Sequence, residues 1–276
     1  MKQLLVGSVF GPTERSRTWL KLQRRFLAKT TDAYDHVVFV NSDDLSPYRG
    51  VKVIGRSAVD PTALHRRHPH VVGLRALLGY FRRHRYRHYL ILDSDCFPIS
   101  KGWLAQLKLM MEASGQKIAA PFRTENLDIF PHPCAFFIKG AAVRDRRIDF
   151  YPRVIKNLMG VGSLDPGTAI PRTKCFPLVR SNARNPHPIF AAIYHHLFYH
   201  HGCGSRRAAG RAIKLGYLDH IVPRDAHERI ERRLYRRLVK NPDAFISWLR
   251  GDSSLRGKTT KARLRRAPGS ARFRAS

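Results

Sequence analysis

The stretch LILDSDCFP, Leu90–Pro98, starts as an apolar run and ends in two aspartates one residue apart. A strand turns alternate side chains to the same face, so Asp93 and Asp95 point the same way and Ser94 points back. Two carboxylates side by side repel. A hard divalent cation prefers such oxygen ligands and removes the repulsion. The plainer reading is a solvated strand end running into a proline turn, and the surrounding sequence has to decide between the two.

Upstream, Leu74, Leu77, Leu78 and Phe81 share one helix face with Arg75, Arg82 and Arg83 off it. Asp60-Pro61 has the form of an N-cap followed by proline at the first helical position. Further back, QLLVGSV reads as a buried strand, Trp19, Leu22, Phe26 and Leu27 as a helix stripe, and HVVFVN and VKVI as short strands. This strand and helix alternation predicts an α/β domain, an open and mostly parallel sheet flanked by helices. In such sheets ligands bind beyond the carboxyl ends of the strands, where Asp93 and Asp95 lie.

Downstream, WLAQLKLMM reads as a helix, and KIAAPF and CAFFIKG as strands. Between residues 145 and 184 proline and glycine accumulate, which predicts loops around a cleft. HPIFAAIYHHLFYHHGCGSR fits a helix, or a helix followed by a strand. From about 225 to 250 the pattern is helical again, with Ile230, Leu234 and Leu238 on one stripe beside paired arginines. Residues 251–276 contain eight Lys or Arg and one Asp, the composition of a disordered tail. The expected organisation is a domain over 1–222, a basic helical extension over 223–250 and the tail over 251–276.

The 276 residues carry 51 Lys or Arg against 20 Asp or Glu, a formal net charge of +31 that attracts polyanions. Nucleic acid, an anionic membrane surface and phosphorylated substrates are the classes this favours. No apolar run approaches the length of a membrane span, and the N-terminus lacks the pattern of a signal peptide, so the expectation is a cytoplasmic protein. Cys96, Cys134, Cys175 and Cys203 lie far apart without metal-ribbon or redox spacing, which predicts reduced thiols.

An apolar strand ending in Asp-x-Asp occurs in several enzyme classes. Dehalogenase-type phosphatases need a second acidic pair downstream, and Asp165, Asp219 and Asp225 do not have that spacing. Polymerase-like nucleotidyl transferases need a third carboxylate, for which Glu125 and Asp128 are the candidates. HYLILDSDCFPI, the preceding helix beginning HPHVVGLRALL, and YHHGCGSRR about one hundred residues later together resemble the nucleotide-sugar glycosyltransferases of the GT-A fold. The middle loop APFRTENLDIFPHPCAFF is similar to that of bacterial glycosyltransferase-like proteins. The likeness spans roughly Gln3 to Arg207.

The resemblance implies a nucleoside-diphosphate-sugar donor and a divalent metal, Mn²⁺ or Mg²⁺, beneath its diphosphate. It places the metal on Asp95, with Asp93 on metal or ribose, and makes His200 or His201 the further ligand. His201 is preferred because HGCG aligns with the family's His-x-x-Gly element. Arg206 or Arg207 would meet the departing diphosphate, although relatives often have Lys or a following Trp there. The base is expected over Gly7, Ser8 and Gly11 at the end of the first strand, where glycine permits close approach. His70 and Gly73 would face the nucleotide from a helix start. For an inverting reaction Asp165, in SLDPGT, or Glu125, beside Arg123, would activate the acceptor.

The reading that follows is a metal-dependent glycosyltransferase acting on a glycolipid or polysaccharide precursor, held peripherally at the inner membrane face by its basic segments. A DNA-modifying glycosyltransferase and a non-catalytic basic polyanion-binding protein are the alternatives.

Overall fold

The computed structural model describes residues 2–11, 14–57, 68–126, 128, 130–153, 155–156, 162–163, 165–202 and 224–252. In chain order the elements are β1 (Lys2–Phe10), α1 (Ser16–Thr30), β2 (Asp35–Val40), β3 (Lys52–Arg56), α2 (Pro69–Arg83), β4 (Tyr86–Asp93), β5 (Cys96–Pro98), α3 (Trp103–Ala113), β6 (Ile118–Pro121) and β7 (Ala135–Lys139). The second half adds β8 (Ile155–Lys156), β9 (Gly162–Ser163), β10 (Cys175–Leu178), β11 (Ala192–Tyr194), β12 (Phe198–His200), α4 (Arg224–Lys240) and α5 (Pro242–Arg250).

Seven strands form one sheet in the order β10-β6-β7-β4-β1-β2-β3. All of its neighbours run parallel except β7, which is antiparallel to both β4 and β6. The α/β class expected from the pattern is therefore the observed one. β1 and β4 are central and read as unbroken apolar runs because both of their faces are covered. Leu5, Val9, Val37, Phe39 and Ile91 pack with Leu74, Leu77 and Phe81 of α2. The alternate residues Leu4, Val6, Leu90 and Leu92 pack with Trp103 and Leu107 of α3, while Phe10, Val38 and Val40 meet Trp19 and Phe26 of α1. The period of two thus assigns each strand residue to one helical layer.

α4 and α5 belong to the same core. Leu234, Leu238, Phe245, Ile246 and Leu249 join the cluster of Trp19, Phe26, Phe97 and Tyr199. Asn241 caps α5 through the Ala244 N–H, with proline at the first turn. The segment from 189 to 202 carries no helix; β11 and β12 form a hairpin whose third strand is β5. His195 and His196 at its tip have φ of 52° and 59°, and the Leu197 N–H donates to Tyr194 O at 2.9 Å. Positive φ at both central residues is a turn geometry that sequences normally signal with Asn or Gly.

The Asp60-Pro61 helix start and the tail from 253 onward lie outside the described residues. Cys96, Cys134 and Cys175 are buried free thiols, and Cys203 lies outside the described residues. Among the described residues no helix is long and apolar enough to cross a membrane.

Candidate metal and nucleotide site

β4 delivers Asp93 to the carboxyl edge of the sheet, where it pairs in register with Val9 of β1. The chain then turns tightly into β5, so Asp95 follows within the same bend. Gln23, fully buried on α1, holds this bend: its Nε2 donates to Asp93 O at 3.0 Å and to Cys96 O at 2.9 Å, while its Oε1 accepts from Ser8 Oγ at 2.7 Å. β12 runs antiparallel to β5 with His200 opposite Cys96. That register brings His200 Nε2 to 3.6 Å from Asp95 Oδ1 and 3.9 Å from Asp93 Oδ2. One ligand atom from each of Asp93, Asp95 and His200 lies within 4.8 Å of the other two.

His201 points elsewhere, because adjacent strand residues face opposite ways. Its Nε2 lies 3.1 Å from Glu231 Oε1 of α4 and its Nδ1 lies 2.7 Å from the Tyr199 hydroxyl. A carboxylate only accepts, so Nε2 carries the proton and Nδ1 accepts from Tyr199. Both nitrogens are occupied. The preference for His201 over His200 as the aspartates' neighbour is therefore corrected by strand alternation; His201 instead locks the hairpin to α4. Glu231 also receives Arg15 Nη1 at 2.5 Å. Burial raises the Glu231 carboxyl, but His201 and Arg15 outweigh it and bring it down to about 2.

The residues at the sheet edge suit a cation. Asp93 Oδ1 is buried without a hydrogen-bond donor, and His70 Nε2 at the start of α2 stands 3.4 Å from it. Burial pulls the His200 imidazole down, while the Cys134 sulfur and the Asp95 and Asp93 carboxylates pull it up, to about 9. The two convergent carboxylates favour a positive charge between them. Two carboxylates and one imidazole form a mixed oxygen and nitrogen set that suits Mn²⁺ at least as well as Mg²⁺.

The remaining expected residues divide. His70 reaches the site. Gly7 does not face a ligand: a Cβ there would meet Leu77 Cδ2 at 2.7 Å and Phe81 Cζ at 2.8 Å, so the glycine lets α2 approach the sheet. Gly73 serves the same contact from the helix side, since a Cβ would lie 2.6 Å from Val9 Cγ1. Ser8 is fully buried and tied to Gln23 and to His36 Nε2, 3.1 Å away. Gly11 lies just past the carboxyl end of β1, its carbonyl accepting from Ser16 Oγ at the start of α1. Arg206 and Arg207 lie outside the described residues.

Asp165 and Glu125 flank His200 through two rings, His132 at 6.0 Å and Tyr194 at 6.4 Å between centroids. Asp165 Oδ2 is 3.2 Å from His132 Nε2 and 3.7 Å from Arg123, and its Oδ1 accepts the Gly167 N–H. Arg123 also pairs with Asp128 at 2.7 Å. Burial raises the Asp165 carboxyl, but His132, Arg123 and the Gly167 N–H together hold it well below the usual carboxylate range. His132 answers in the other sense: burial and Arg123 push it down, yet Asp165 carries it up to about 9. Glu125 Oε1 accepts from the Tyr194 hydroxyl at 2.7 Å.

Sequence reasoning missed Gln23, His132 and Glu231. Gln23 had a signal, a polar residue inside the apolar stripe of Trp19, Leu22 and Phe26; the other two are defined by long-range packing alone.

No family model matches the chain. No curated protein matches it either. Among solved structures it is similar to S. aureus TarS residues 1–349 in complex with UDP-GlcNAc, at 15% identity and a TM-score of 0.36, covering 54% of this chain and 48% of that one. The same S. aureus protein in complex with UDP gives 16% identity and a TM-score of 0.36, covering 54% and 50%. The S. aureus TarS 1–349 structure without a named ligand gives 18% and 0.35, covering 54% and 50%. The chain spans about half the length of these structures.

Proposed function

We propose that the protein is a GT-A-type glycosyltransferase that takes a sugar from a nucleoside-diphosphate donor with the help of a divalent metal. The observation that carries this reading is the convergence of Asp93, Asp95 and His200 at the carboxyl edge of a mostly parallel sheet. Nucleotide ligands favour that edge in open α/β sheets. Asp93, Asp95 and His200 would hold the metal, which supplies Lewis-acid neutralisation of the diphosphate as it leaves.

The protein's own groups then have separate tasks. Gln23 keeps the bend between Asp93 and Cys96 rigid, so the two carboxylates converge before any ligand arrives. His70, beside Asp93 at the start of α2, would touch the ribose or a phosphate oxygen. Gly11 leaves the end of β1 without a side chain beside the nucleotide. Of the two carboxylates considered for acceptor activation, Asp165 is a weak base because His132 and Arg123 stabilise its charge. Glu125, oriented by Tyr194, is the better placed of the two for an inverting reaction. The acceptor is a glycolipid or polysaccharide precursor, brought in by the basic faces of α1 and α4. Peripheral association with an anionic membrane is part of the same proposal.

The test is release of nucleoside diphosphate from UDP-, GDP-, CDP- and dTDP-sugars, followed with Mn²⁺, with Mg²⁺ and with chelator. Metal-dependent turnover of one donor supports the proposal. Equal background hydrolysis with all donors, unaffected by chelator, would refute it.

A further inference from the structure

We propose that the groove along the outer face of α1 binds an extended anionic polysaccharide, the acceptor chain of the glycosyl transfer described above, and the inference rests on that reading. α1 turns Trp19, Leu22, Phe26 and Leu27 to the core, which leaves Arg17, Lys21 and Arg24 on the exposed face at i, i+4 and i+7. Arg49, in the loop after β2, faces them across a groove of about 500 Å³ floored in part by Leu20 and Tyr34.

Among the described residues, no acidic one lines this groove. Arg25, the other arginine on it, shares the single Asp243 carboxylate with Lys29, at 2.5 and 2.6 Å. Among the described residues, Arg17, Lys21, Arg24 and Arg49 have no carboxylate within ion-pair distance, although the Arg17 charge reaches the exposed Asp44 carboxyl and lowers it. Four like charges around one concavity repel each other, and a row of anions relieves that repulsion.

The groove also has a direction. α1 is fastened to the end of β1 by Ser16 Oγ donating to Gly11 O at 2.8 Å, and β1 ends beside Asp93. Arg17 therefore stands near the edge that carries the metal site. From there to Ala28 the groove follows α1 for about 16 Å, with its three helix cations spaced about 6 Å and about 4.5 Å along the axis.

A compact phosphate would touch at most two of these cations, whereas a linear chain bearing one negative charge per sugar meets them in succession. Among the described residues, Tyr34 is the single aromatic one lining the groove, which gives bases little to stack on. A flat anionic bilayer meets the outermost charges of a basic surface, whereas these cations line a concavity.

The experiment is calorimetric titration of the full chain, in chelator, with oligogalacturonides of increasing length and with neutral maltooligosaccharides. Affinity should rise with the length of the charged chain, and the neutral series should not bind. The triple variant Arg17→Glu, Lys21→Glu, Arg24→Glu should lose about tenfold or more in affinity. A control with the same charge change at exposed, scattered sites, Arg85→Glu, Lys101→Glu and Arg146→Glu, should lose less than about twofold.

Equal losses in both variants would overturn the proposal. So would tighter binding of a single-stranded oligonucleotide of the same charge, or binding to anionic vesicles alone. Metal-dependent nucleotide binding, measured on the same samples, should survive in the groove variant. Its failure in the unaltered protein would count against the glycosyltransferase reading, while the oligosaccharide data alone decide the groove.

Discussion

Replacing Glu231 by Gln should destabilise the protein by about 3 kcal/mol. Glu231 Oε1 meets Arg15 Nη1 at 2.5 Å and His201 Nε2 at 3.1 Å, and the three side chains are 1%, 9% and 0% exposed. Removing one partner of a buried ion pair costs about 3–5 kcal/mol, because the surviving charge stays desolvated. Here that survivor is Arg15, mostly buried and packed over the Tyr235 ring at 3.8 Å. The amide keeps an acceptor oxygen, which places the loss at the lower end. At about 2–4 °C per kcal/mol for a protein of this size, the melting temperature should fall by about 6–12 °C.

Scanning calorimetry with urea unfolding measures the loss. The double variant Arg15→Met, Glu231→Met should recover most of it, since replacing both charges by apolar groups is often close to neutral. A single-variant shift under about 2 °C, or a double variant no more stable than the single, would refute the claim that α4 is clamped to α1 by a desolvated charge pair.

Three further outcomes are expected. His200→Ala should keep the fold and abolish metal-dependent nucleotide binding, whereas His201→Ala should lower the melting temperature, because it strips partners from Tyr199 and Glu231; calorimetry on both variants separates the roles. Gly7→Ala should cost about 1–3 kcal/mol by overpacking against Leu77 and Phe81, in urea unfolding, with unchanged nucleotide affinity in whatever protein remains folded. The Asp165–His132 pair predicts a stability window. His132, raised to about 9, contributes fully below its ordinary 6.5 and loses that contribution as pH rises through about 9. Asp165, lowered, contributes above its ordinary 3.8 and loses that as pH falls. Urea midpoints should therefore fall between pH 6.5 and 9, and His132→Gln should remove that slope.

The strands and helices of the first half were legible because their apolar periodicity matches their burial; Leu74, Leu77, Leu78 and Phe81 are all on the packed face of α2. The Asp-x-Asp bend was legible for the same reason, since an apolar central strand has to end at a sheet edge. The neighbouring histidine was not, because choosing between His200 and His201 requires the register of β12 on β5. The hairpin was hidden by His195 and His196, which adopt backbone conformations that sequences normally assign to Asn or Gly. Gly7 and Ser8 looked like a nucleotide-facing loop end, yet β1 stays buried through Phe10 and both residues serve packing. The C-terminal helices read as an appendage because their arginines dominate the composition, while the few apolar residues on the inner stripe decide the packing.

The central claim is that Asp93, Asp95 and His200 form a metal-assisted nucleotide site. Calorimetric titration of UDP, GDP, CDP and dTDP into the protein with Mn²⁺ and with chelator, repeated on Asp95→Asn, tests it most directly. One nucleotide should bind with Mn²⁺, chelator should abolish the binding, and Asp95→Asn should abolish it without lowering the melting temperature. Nucleotide binding that persists in chelator or in the Asp95→Asn protein, or no binding of any of the four, would contradict it.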